Sequence, residues 1–323
     1  MGTAFAHPVT LWITLATIGV VALAAAVIGA LTLLGRGSPA LRRELWLRLG
    51  SWVVLLPLMF GPVLAGRVWT IAAVTLLGLA CLREFDRATG LFREYAMVAV
   101  VVAGLLLVNF AALDQWYGLF VALGPLTAVA ILVVSIPLDR PSGYVQRVAL
   151  SLVAFMLFGL GLGHLGYMAN DPGYRPLVLM LLAVVALNDV AAFTCGKLIG
   201  GPKLLPQTSP NKTISGAVGA LVVSTLLVML LGSRIFAGTP LDSLPKLALL
   251  GLLISAAGQC GDLMLSSIKR DIGIKDMGTL LPGHGGILDR YNSLLLVSPA
   301  VFHFVNYVVG LAGTGPSRLL SGG

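Results

Sequence analysis

The sequence predicts an all-α fold, a polytopic integral membrane bundle of about ten transmembrane helices. Hydrophobic residues make up 58% of the 323 positions and charged residues 11%, whereas a soluble domain carries about 25% charged residues. Apolar runs long enough to cross a hydrocarbon layer of about 30 Å recur along the whole chain. They lie near 9–34, 51–65, 68–82, 95–113, 116–138, 147–168, 176–196, 214–235, 246–267 and 290–314.

The basic residues support this helix count. If the N-terminus lies outside, about three quarters of the lysines and arginines fall in or beside loops on the cytoplasmic side, as the positive-inside rule requires. These loops are 35–50, 83–94, 139–146, 197–213 and 268–290. The net charge of +8 therefore reports topology. We expect no nucleic-acid partner, because these basic residues sit in short loops and form no face interleaved with aromatic residues.

We divide the chain into three regions. Membrane helices occupy 1–145, a second membrane region with the candidate catalytic residues occupies 146–314, and a Gly/Ser-rich tail over 315–323 is predicted to be loose. Within the first region, 38–50 is an amphipathic connector that either lies in the anionic interface or simply marks the cytoplasmic side. The charged run 83–87 neutralises itself, and we interpret it as a solvated helix end.

A polar pair, Asn188 and Asp189, interrupts the apolar run 176–196. A buried carboxylate needs a cation, a proton or hydrogen-bond donors, so the pair is a candidate site. The Gly- and Pro-rich loop that follows ends with Lys212 and Thr213, just ahead of the next predicted helix. A helix N-terminus offers N–H groups that suit phosphate. The alternative is a positive-inside loop with a good N-cap.

The stretch 261–293 brings acidic and basic residues together at the end of an apolar run. Asp262 and Ser266 stand four residues apart on a predicted helix, and Lys269 and Arg270 follow three and four residues later. One helix face thus carries a carboxylate, a hydroxyl and cations. That face suits a divalent metal ion beside a polyphosphate. The alternative is a structural Asp–Arg pair inside the bundle.

A second cluster follows in the same stretch. Glycines surround His284, and such glycines let the backbone approach a ligand closely. Asp289, Asn292 and Ser293 fall on one face at the start of the last predicted helix. The alternative is a solvated loop histidine, but its glycine neighbours and the nearby acid favour a functional role.

Taken together, these residues indicate a membrane enzyme that handles a phosphate-bearing lipid and a cytoplasmic nucleotide. Mg²⁺ prefers a few carboxylates plus phosphate oxygens and water, and phosphoryl or nucleotidyl transfer needs mainly positioning and charge neutralisation. The carboxylates that would gather the metal are Asp189, Asp262 and Asp289. The cations that would neutralise phosphate are Lys212, Lys269 and Arg270.

At these residues the chain resembles the phosphatidate cytidylyltransferase (CDP-diacylglycerol synthase) family. The family's ordered signature appears over the C-terminal part of the chain, and the N-terminal half matches only as a helical bundle. The matching elements are Asn188-Asp189, the glycine-rich turn 196–201, Ser209-Pro210-Asn211-Lys212-Thr213, Gly261-Asp262-Leu263, Ser266, Lys269-Arg270, Lys275-Asp276, His284-Gly285-Gly286 and Asp289-Arg290-Tyr291-Asn292.

The resemblance implies that phosphatidic acid, or a related lipid phosphate, attacks CTP to give CDP-diacylglycerol and pyrophosphate, with Mg²⁺ and a second cation left open. It implies catalytic roles for Asp262, Asp289, Lys269, Arg270 and His284, and metal ligation by Asp262 and Asp289. The implied substrate-binding residues are Asn188, Asp189, Ser209, Lys212, Thr213, Ser266, Lys275, Asp276, Gly285, Gly286, Arg290 and Asn292. It places the active site on the cytoplasmic face of a bacterial inner membrane among membrane lipids, and leaves a homodimer open.

The chain departs from the family pattern at three acidic positions, which hold Ser215, Leu265 and Asn292. These losses keep two alternatives open: a divergent paralogue that acts on another lipid phosphate, and a non-catalytic lipid-binding membrane protein. A transporter is a further alternative, since intramembrane acids can couple to protons. Against it, the polar residues cluster at one membrane face, and no repeat typical of transporters is evident.

Overall fold

The fold consists of ten helices, each of which is long and apolar enough to span a membrane, in a computed structural model of the protein. The structure describes residues 4–36, 38–137, 139–278, 285–311 and 318–322, and the helix count refers to these ranges. The elements are α1 Pro8–Leu33, α2 Pro39–Ala65, α3 Arg67–Thr89, a 3-10 turn Leu91–Arg93, α4 Tyr95–Leu113, α5 Tyr117–Val134, α6 Tyr144–Ala154, a π-helical segment Phe155–Gly161, α7 Leu162–Met168, α8 Tyr174–Ile199, β1 Lys203–Leu205, β2 Ser209–Thr213, α9 Ile214–Ile235, α10 Leu244–Asp271, α11 Leu288–Tyr291 and α12 Leu294–Val309. The α6–α7 run and the α11–α12 run each count as one span, so the prediction of about ten membrane helices is confirmed.

Helix α2 differs from the sequence prediction. The connector 38–50 and the short span 51–65 form one continuous helix. The Ser38 side chain accepts a hydrogen bond from Leu41 N at 3.2 Å and so begins the helix as an N-cap. Gly50 does not end it, since a glycine inside a helix costs only about 1 kcal/mol relative to alanine. The amphipathic segment is therefore the first half of α2 itself.

The break between α2 and α3 falls at Gly66, whose φ of 137° lies in a region that L side chains rarely adopt. Arg67 follows it and donates from Nε to Asn170 Oδ1 at 2.6 Å, while Asn170 Nδ2 donates to Ala112 O at 2.9 Å. These bonds tie the α2–α3, α4–α5 and α7–α8 connections together at one end of the bundle. The sequence leaves open whether 51–82 is a helical hairpin or one broken helix, and the structure places its two apolar runs in separate helices, α2 and α3.

Helices α8 and α9 pack closely because glycines face each other at the end of the bundle that carries the polar residues. A β-carbon built on Gly216 would collide with Ala192 O, and one built on Gly196 would lie 2.7 Å from Thr213 Oγ1. Such contacts between small residues hold membrane helices together where hydrophobic burial gives no advantage over lipid. Strands β1 and β2 form an antiparallel hairpin in the loop between these helices.

Two histidines form a polar pair inside apolar helices. His164 Nε2 and His303 Nε2 lie 3.1 Å apart, and His164 Nδ1 lies 2.6 Å from Leu160 O. A carbonyl only accepts, so His164 carries its proton on Nδ1 and accepts at Nε2 from His303. Phe120 and Phe302 meet the His164 ring edge to face. His164 is buried and His303 is exposed, so the pair runs from the interior of the bundle to its surface.

The end of the chain is fastened to the α4–α5 connection. The carboxylate of Asp114 accepts hydrogen bonds from the backbone N–H of Leu320, from Ser321 N at 3.1 Å and from the Ser321 hydroxyl at 2.5 Å. The guanidinium of Arg318 lies 4.1 Å from the centre of the Trp116 ring. The tail that the sequence predicts as loose therefore makes defined contacts at these residues.

These contacts predict a pH dependence of tail docking. The Ser321 hydroxyl, together with backbone N–H groups of the tail, holds the pKa of Asp114 below its ordinary value. Because the folded-state pKa is depressed, the stabilisation is complete above the ordinary aspartate pKa of about 3.9 and is lost as the pH falls through the folded-state value. We expect the amides of Leu320 and Ser321 to be protected from hydrogen exchange at neutral pH and to lose protection below that window.

The substitution Asp114→Ala should remove this protection at neutral pH as well. The matched control is Asp242→Ala, since Asp242 accepts from Gly238 N within the α9–α10 connection and should leave the tail amides protected. Equal protection in Asp114→Ala and in the wild type, measured by exchange and mass spectrometry, would contradict the assignment.

Candidate active site

Asp262, near the end of α10, lies at the centre of a three-residue cluster. Its Oδ2 forms an ion pair with the Lys212 ammonium group, and its Oδ1 accepts from Asn292 Nδ2 at 2.6 Å. Asn292 Oδ1 in turn accepts from Ser293 N at 2.7 Å. The cluster joins residues from the α8–α9 loop, from α10 and from the α11–α12 junction, as the sequence motifs predict for a shared site.

Asp289 at the start of the last span forms a second cluster. Its Oδ1 pairs with Lys269 Nζ at 2.8 Å, and its Oδ2 accepts from Met277 N at 2.9 Å and from Gly286 N at 3.1 Å. The side chain of Asp289 is only 4% exposed. The carboxylate therefore holds two backbone segments together, and Lys269 compensates its charge.

Asn188 and Asp189 occupy adjoining positions with different surroundings. Asn188 is buried, and its Oδ1 accepts from Ser255 Oγ at 2.5 Å and from Ser224 Oγ at 3.1 Å. This amide therefore links α8, α9 and α10 just beneath the site. Asp189 is exposed, and the charges of Asp262, Lys212 and Arg290 act on it. The structure thus brings Asp189 near the Asp262 cluster, whereas Asn188 supports the helices that carry it.

The predicted phosphate-binding loop begins α9 with a side-chain cap. Thr213 Oγ1 accepts from Gly216 N at 3.1 Å and lies 3.1 Å from Ser215 Oγ. Ser215 Oγ donates to the carbonyl of Gly200. Thr213 therefore serves as the N-cap that the sequence analysis kept as an alternative, while Lys212 beside it points to Asp262.

The remaining predicted residues lie around the two clusters. Arg270 is exposed and donates to Thr208 O at 3.4 Å, in the turn of the β1–β2 hairpin. Gly285 has a φ of 79°, and a β-carbon built on it would lie 3.2 Å from Asp289 Oδ2 and 3.3 Å from Asp276 Oδ1. The half-buried residues are Ser209 and Ser266, and the exposed ones are Lys275, Asp276 and Arg290. His284 lies outside the described residues, so its catalytic role stays a prediction.

Glu84 is the residue that the sequence analysis missed. Its Oε1 accepts from Ile287 N at 2.9 Å and its Oε2 from Leu288 N at 2.8 Å. The interpretation of its charged run as a solvated helix end is therefore wrong for Glu84. The signal that could have identified Glu84 is its position on α3 between Cys81 and Phe85, which are both buried. The helix period places Glu84 beside that buried stripe rather than opposite it.

The Mg²⁺ ion that the resemblance implies can be tested against the carboxylates. Among the described ranges, no three His, Cys, Asp or Glu side chains come close enough to share a metal ion. Asp262 fits as a single ligand, because it is 25% exposed and each oxygen that accepts one bond retains a second lone pair. Asp289, which the resemblance also implies as a metal ligand, fits less well, because its side chain is 4% exposed, Lys269 compensates its charge and its Oδ2 accepts two backbone bonds. The donor set suits one Mg²⁺ ion that takes its other ligands from substrate phosphate and water.

The comparison with known families decides the class of this site. The cytidylyltransferase family matches over residues 46–308, a range that contains both carboxylate clusters and Glu84. The chain belongs to the cytidylyltransferase family. It is therefore a CTP-dependent nucleotidyltransferase, and its long apolar helices make it an integral membrane enzyme.

Similar proteins agree with this membership. YnbB of Escherichia coli (strain K12), an uncharacterised protein, is 33% identical over 271 residues, which cover 82% of this chain and 88% of YnbB. The phosphatidate cytidylyltransferase of Brucella suis biovar 1 (strain 1330) is 33% identical over 237 residues, or 71% of this chain and 81% of that enzyme. The phosphatidate cytidylyltransferase of Staphylococcus saprophyticus is 39% identical over 151 residues, or 47% and 56% of the two chains. The predicted resemblance is confirmed.

The Lys269–Asp289 pair predicts a large stability effect in this cytidylyltransferase. Lys269→Met leaves a carboxylate that is 4% exposed without its counter-charge. Breaking one partner of such a pair costs about 3–5 kcal/mol, and we expect a loss of this size in unfolding titrations in mixed micelles. The control Lys203→Met removes an exposed lysine and should change stability by about 0.5 kcal/mol or less. Equal effects of the two substitutions would contradict the prediction.

Proposed function

We propose that this protein transfers the cytidylyl group of CTP to phosphatidic acid, giving CDP-diacylglycerol and pyrophosphate in phospholipid synthesis. The observation that carries the proposal is the ion pair between Lys212 and Asp262, toward the C-terminal end of α10. The Lys269–Asp289 pair lies beside it. Acids and cations gathered at one end of apolar helices suit a reaction between a lipid phosphate and a nucleoside triphosphate. The named phosphatidate cytidylyltransferases among the relatives support the same substrate.

The reaction needs no covalent bond between the protein and a substrate. An oxygen of the lipid phosphate attacks the α-phosphorus of CTP, a new P–O bond forms, and the bond to the β-phosphate breaks with pyrophosphate as the leaving group. The attacking phosphate is already ionised at neutral pH, so no general base is required. Positioning and charge neutralisation therefore dominate the rate. Lys212, Arg270 and Arg290 surround the site with the necessary positive charge.

A magnesium ion held through Asp262 would neutralise phosphate charge when bound. The Lys212 ammonium group pairs with the same carboxylate. A metal ion at Asp262 would therefore compete with Lys212, whose ammonium group would then be available to the phosphates of a nucleotide. The distribution of basic loops supports a site on the cytoplasmic side of a bacterial inner membrane, where CTP is present.

The proposal is tested by pyrophosphate release from purified protein in detergent, with CTP, Mg²⁺ and phosphatidic acid. We expect release that requires both the nucleotide and the lipid, together with label transfer from CTP into lipid. Asp262→Asn keeps the shape but loses the charge, and turnover should fall by about 100-fold or more. The exposed Lys203→Met serves as the control and should retain turnover. The absence of pyrophosphate release from folded wild-type protein would contradict CTP and phosphatidic acid as the substrate pair.

The Lys212–Asp262 pair predicts competition between lysine and metal. Wild-type protein should bind Mn²⁺, measured by the loss of its free electron paramagnetic resonance signal, only when CTP is present. Lys212→Gln removes the competing ammonium group and should bind Mn²⁺ without nucleotide. The double variant Lys212→Gln with Asp262→Asn should lose that binding again. Equal nucleotide-free binding by the wild type and by Lys212→Gln would contradict the assignment.

A second candidate substrate is another lipid phosphate, and the three missing acids favour it. Leu265 is fully buried, Ser215 bonds the Gly200 carbonyl, and Asn292 bonds Asp262, so each replacement is built into the packing around the site. The same assay with a panel of lipid phosphates separates the two candidates. Release with another lipid phosphate, but not with phosphatidic acid, would establish the second.

A further inference from the structure

We propose that Glu84 is a positioning residue of this site: its carboxylate, on α3, clasps the backbone at Ile287 and Leu288 on one side and at Gly278 on the other. The inference rests on the proposed function, because Ile287 and Leu288 begin the span that carries Asp289. No family motif named in the sequence analysis includes Glu84, and the N-terminal half that contains it resembled the family only as a helical bundle. The proposal gives that half a direct part in the active site.

The Glu84 carboxylate accepts two backbone hydrogen bonds at the start of the last span. The backbone N–H groups of Ile287 and Leu288 have no helical partner, because they open the span Leu288–Val309. Each is accepted by one oxygen of Glu84, at 2.9 and 2.8 Å. A carboxylate in that place also matches the positive end of the helix. Glu84 thus caps the last span from a helix about 200 residues away in sequence.

Two glycines leave space for the Glu84 carboxylate. A β-carbon built on Gly278 would lie 2.5 Å from Glu84 Oε1 and 2.7 Å from its Cδ, and its three nearest atoms all belong to Glu84. A β-carbon on Gly286 would collide with Glu84 Oε2. The Glu84 side chain therefore leaves no room for a β-carbon at Gly278, and at Gly286 it shares that role with the backbone nitrogen of Gly278, 2.8 Å away. Glu84 therefore contacts the chain at Gly278, after α10, and again at Ile287 and Leu288, where the last span begins.

Asp289 binds backbone next to the residues that Glu84 contacts. Asp289 Oδ2 accepts from Met277 N and Gly286 N, the neighbours of the residues that Glu84 contacts. The carboxylates of Glu84 on α3 and Asp289 on α11 thus both contact the backbone at 277–278 and at 286–288, and together they hold these two pieces side by side. Loss of Glu84 would let that backbone shift and move Asp289 away from Lys269. Displacements of about 1 Å in a site can cost about 100-fold in rate.

The experiment is a double-mutant cycle of Glu84→Ala and Gly278→Ala, with kcat and KM for CTP taken from pyrophosphate release. We expect each single substitution to lower kcat by about 100-fold with a smaller change in KM, since the clasp positions groups rather than binding nucleotide. In the Glu84→Ala background, Gly278→Ala should add less than about twofold, because the three atoms nearest to its β-carbon all belong to the missing side chain. Multiplicative losses in the double variant would overturn the proposal.

Two further variants separate positioning from folding. Glu84→Gln keeps one oxygen acceptor and should recover part of kcat, which a need for mere bulk or for general stability would not predict. Arg83→Gln changes the exposed neighbour on the same helix and should keep kcat within about twofold. Wild-type kcat in Glu84→Ala would overturn the proposal outright.

Hydrogen exchange distinguishes failure of this proposal from failure of the proposed function. Glu84→Ala should speed exchange at the amides of Ile287 and Leu288, whether or not phosphatidic acid is the substrate. If the wild type is active and hydrogen exchange at Ile287 and Leu288 is unchanged in Glu84→Ala, the proposed role of Glu84 is wrong and the proposed function still stands. A wild type that shows no turnover with any lipid phosphate would overturn the proposed function and the positioning role of Glu84 together, even if the exchange rates changed.

Discussion

The structure depends on one electrostatic requirement: acids at the ends of membrane helices must be met by donors. A charge at the centre of a bilayer costs about 3 kcal/mol or more, and even near the surface a buried carboxylate without partners is costly. Asp262, Asp289 and Glu84 all meet this requirement with protein groups, namely two lysines, one amide side chain and four backbone N–H groups. These bonds are also what joins α3, the α8–α9 loop, α10 and the last span into one site.

The same bonds explain how a site is built from residues far apart in sequence. Hydrophobic contact gives membrane helices no preference over lipid, so glycine contacts and polar bonds decide which helices meet. Here the glycines of α8 and α9 set the position of Lys212, and the buried amide of Asn188 ties α8 to α9 and α10 through Ser224 and Ser255. The charged residues then complete an arrangement that small and neutral residues have already brought into register.

The sequence predicted the helices well because the thickness of hydrocarbon fixes the length of an apolar run. It also predicted that Lys212, Asp262 and Asn292 share a site, since their motifs follow one another at helix ends on the same side. It did not predict that α2 is continuous, because Gly50 weakens a helix without ending it. Glu84 was missed because its partners are backbone N–H groups, which carry no residue-specific signal, more than 200 positions away.

The departure at position 292 is compensated within the site itself. Asn292 Nδ2 donates to Asp262 Oδ1 at 2.6 Å. An aspartate in its place would set two carboxylates at that distance, which cannot both be ionised without a cation or a shared proton between them. The amide supplies a donor where such a pair would need a positive charge. Lys212 supplies the remaining charge on the other oxygen. Asn292 and Lys212 therefore balance the Asp262 carboxylate between them, and the phosphates of a substrate would require further positive charge.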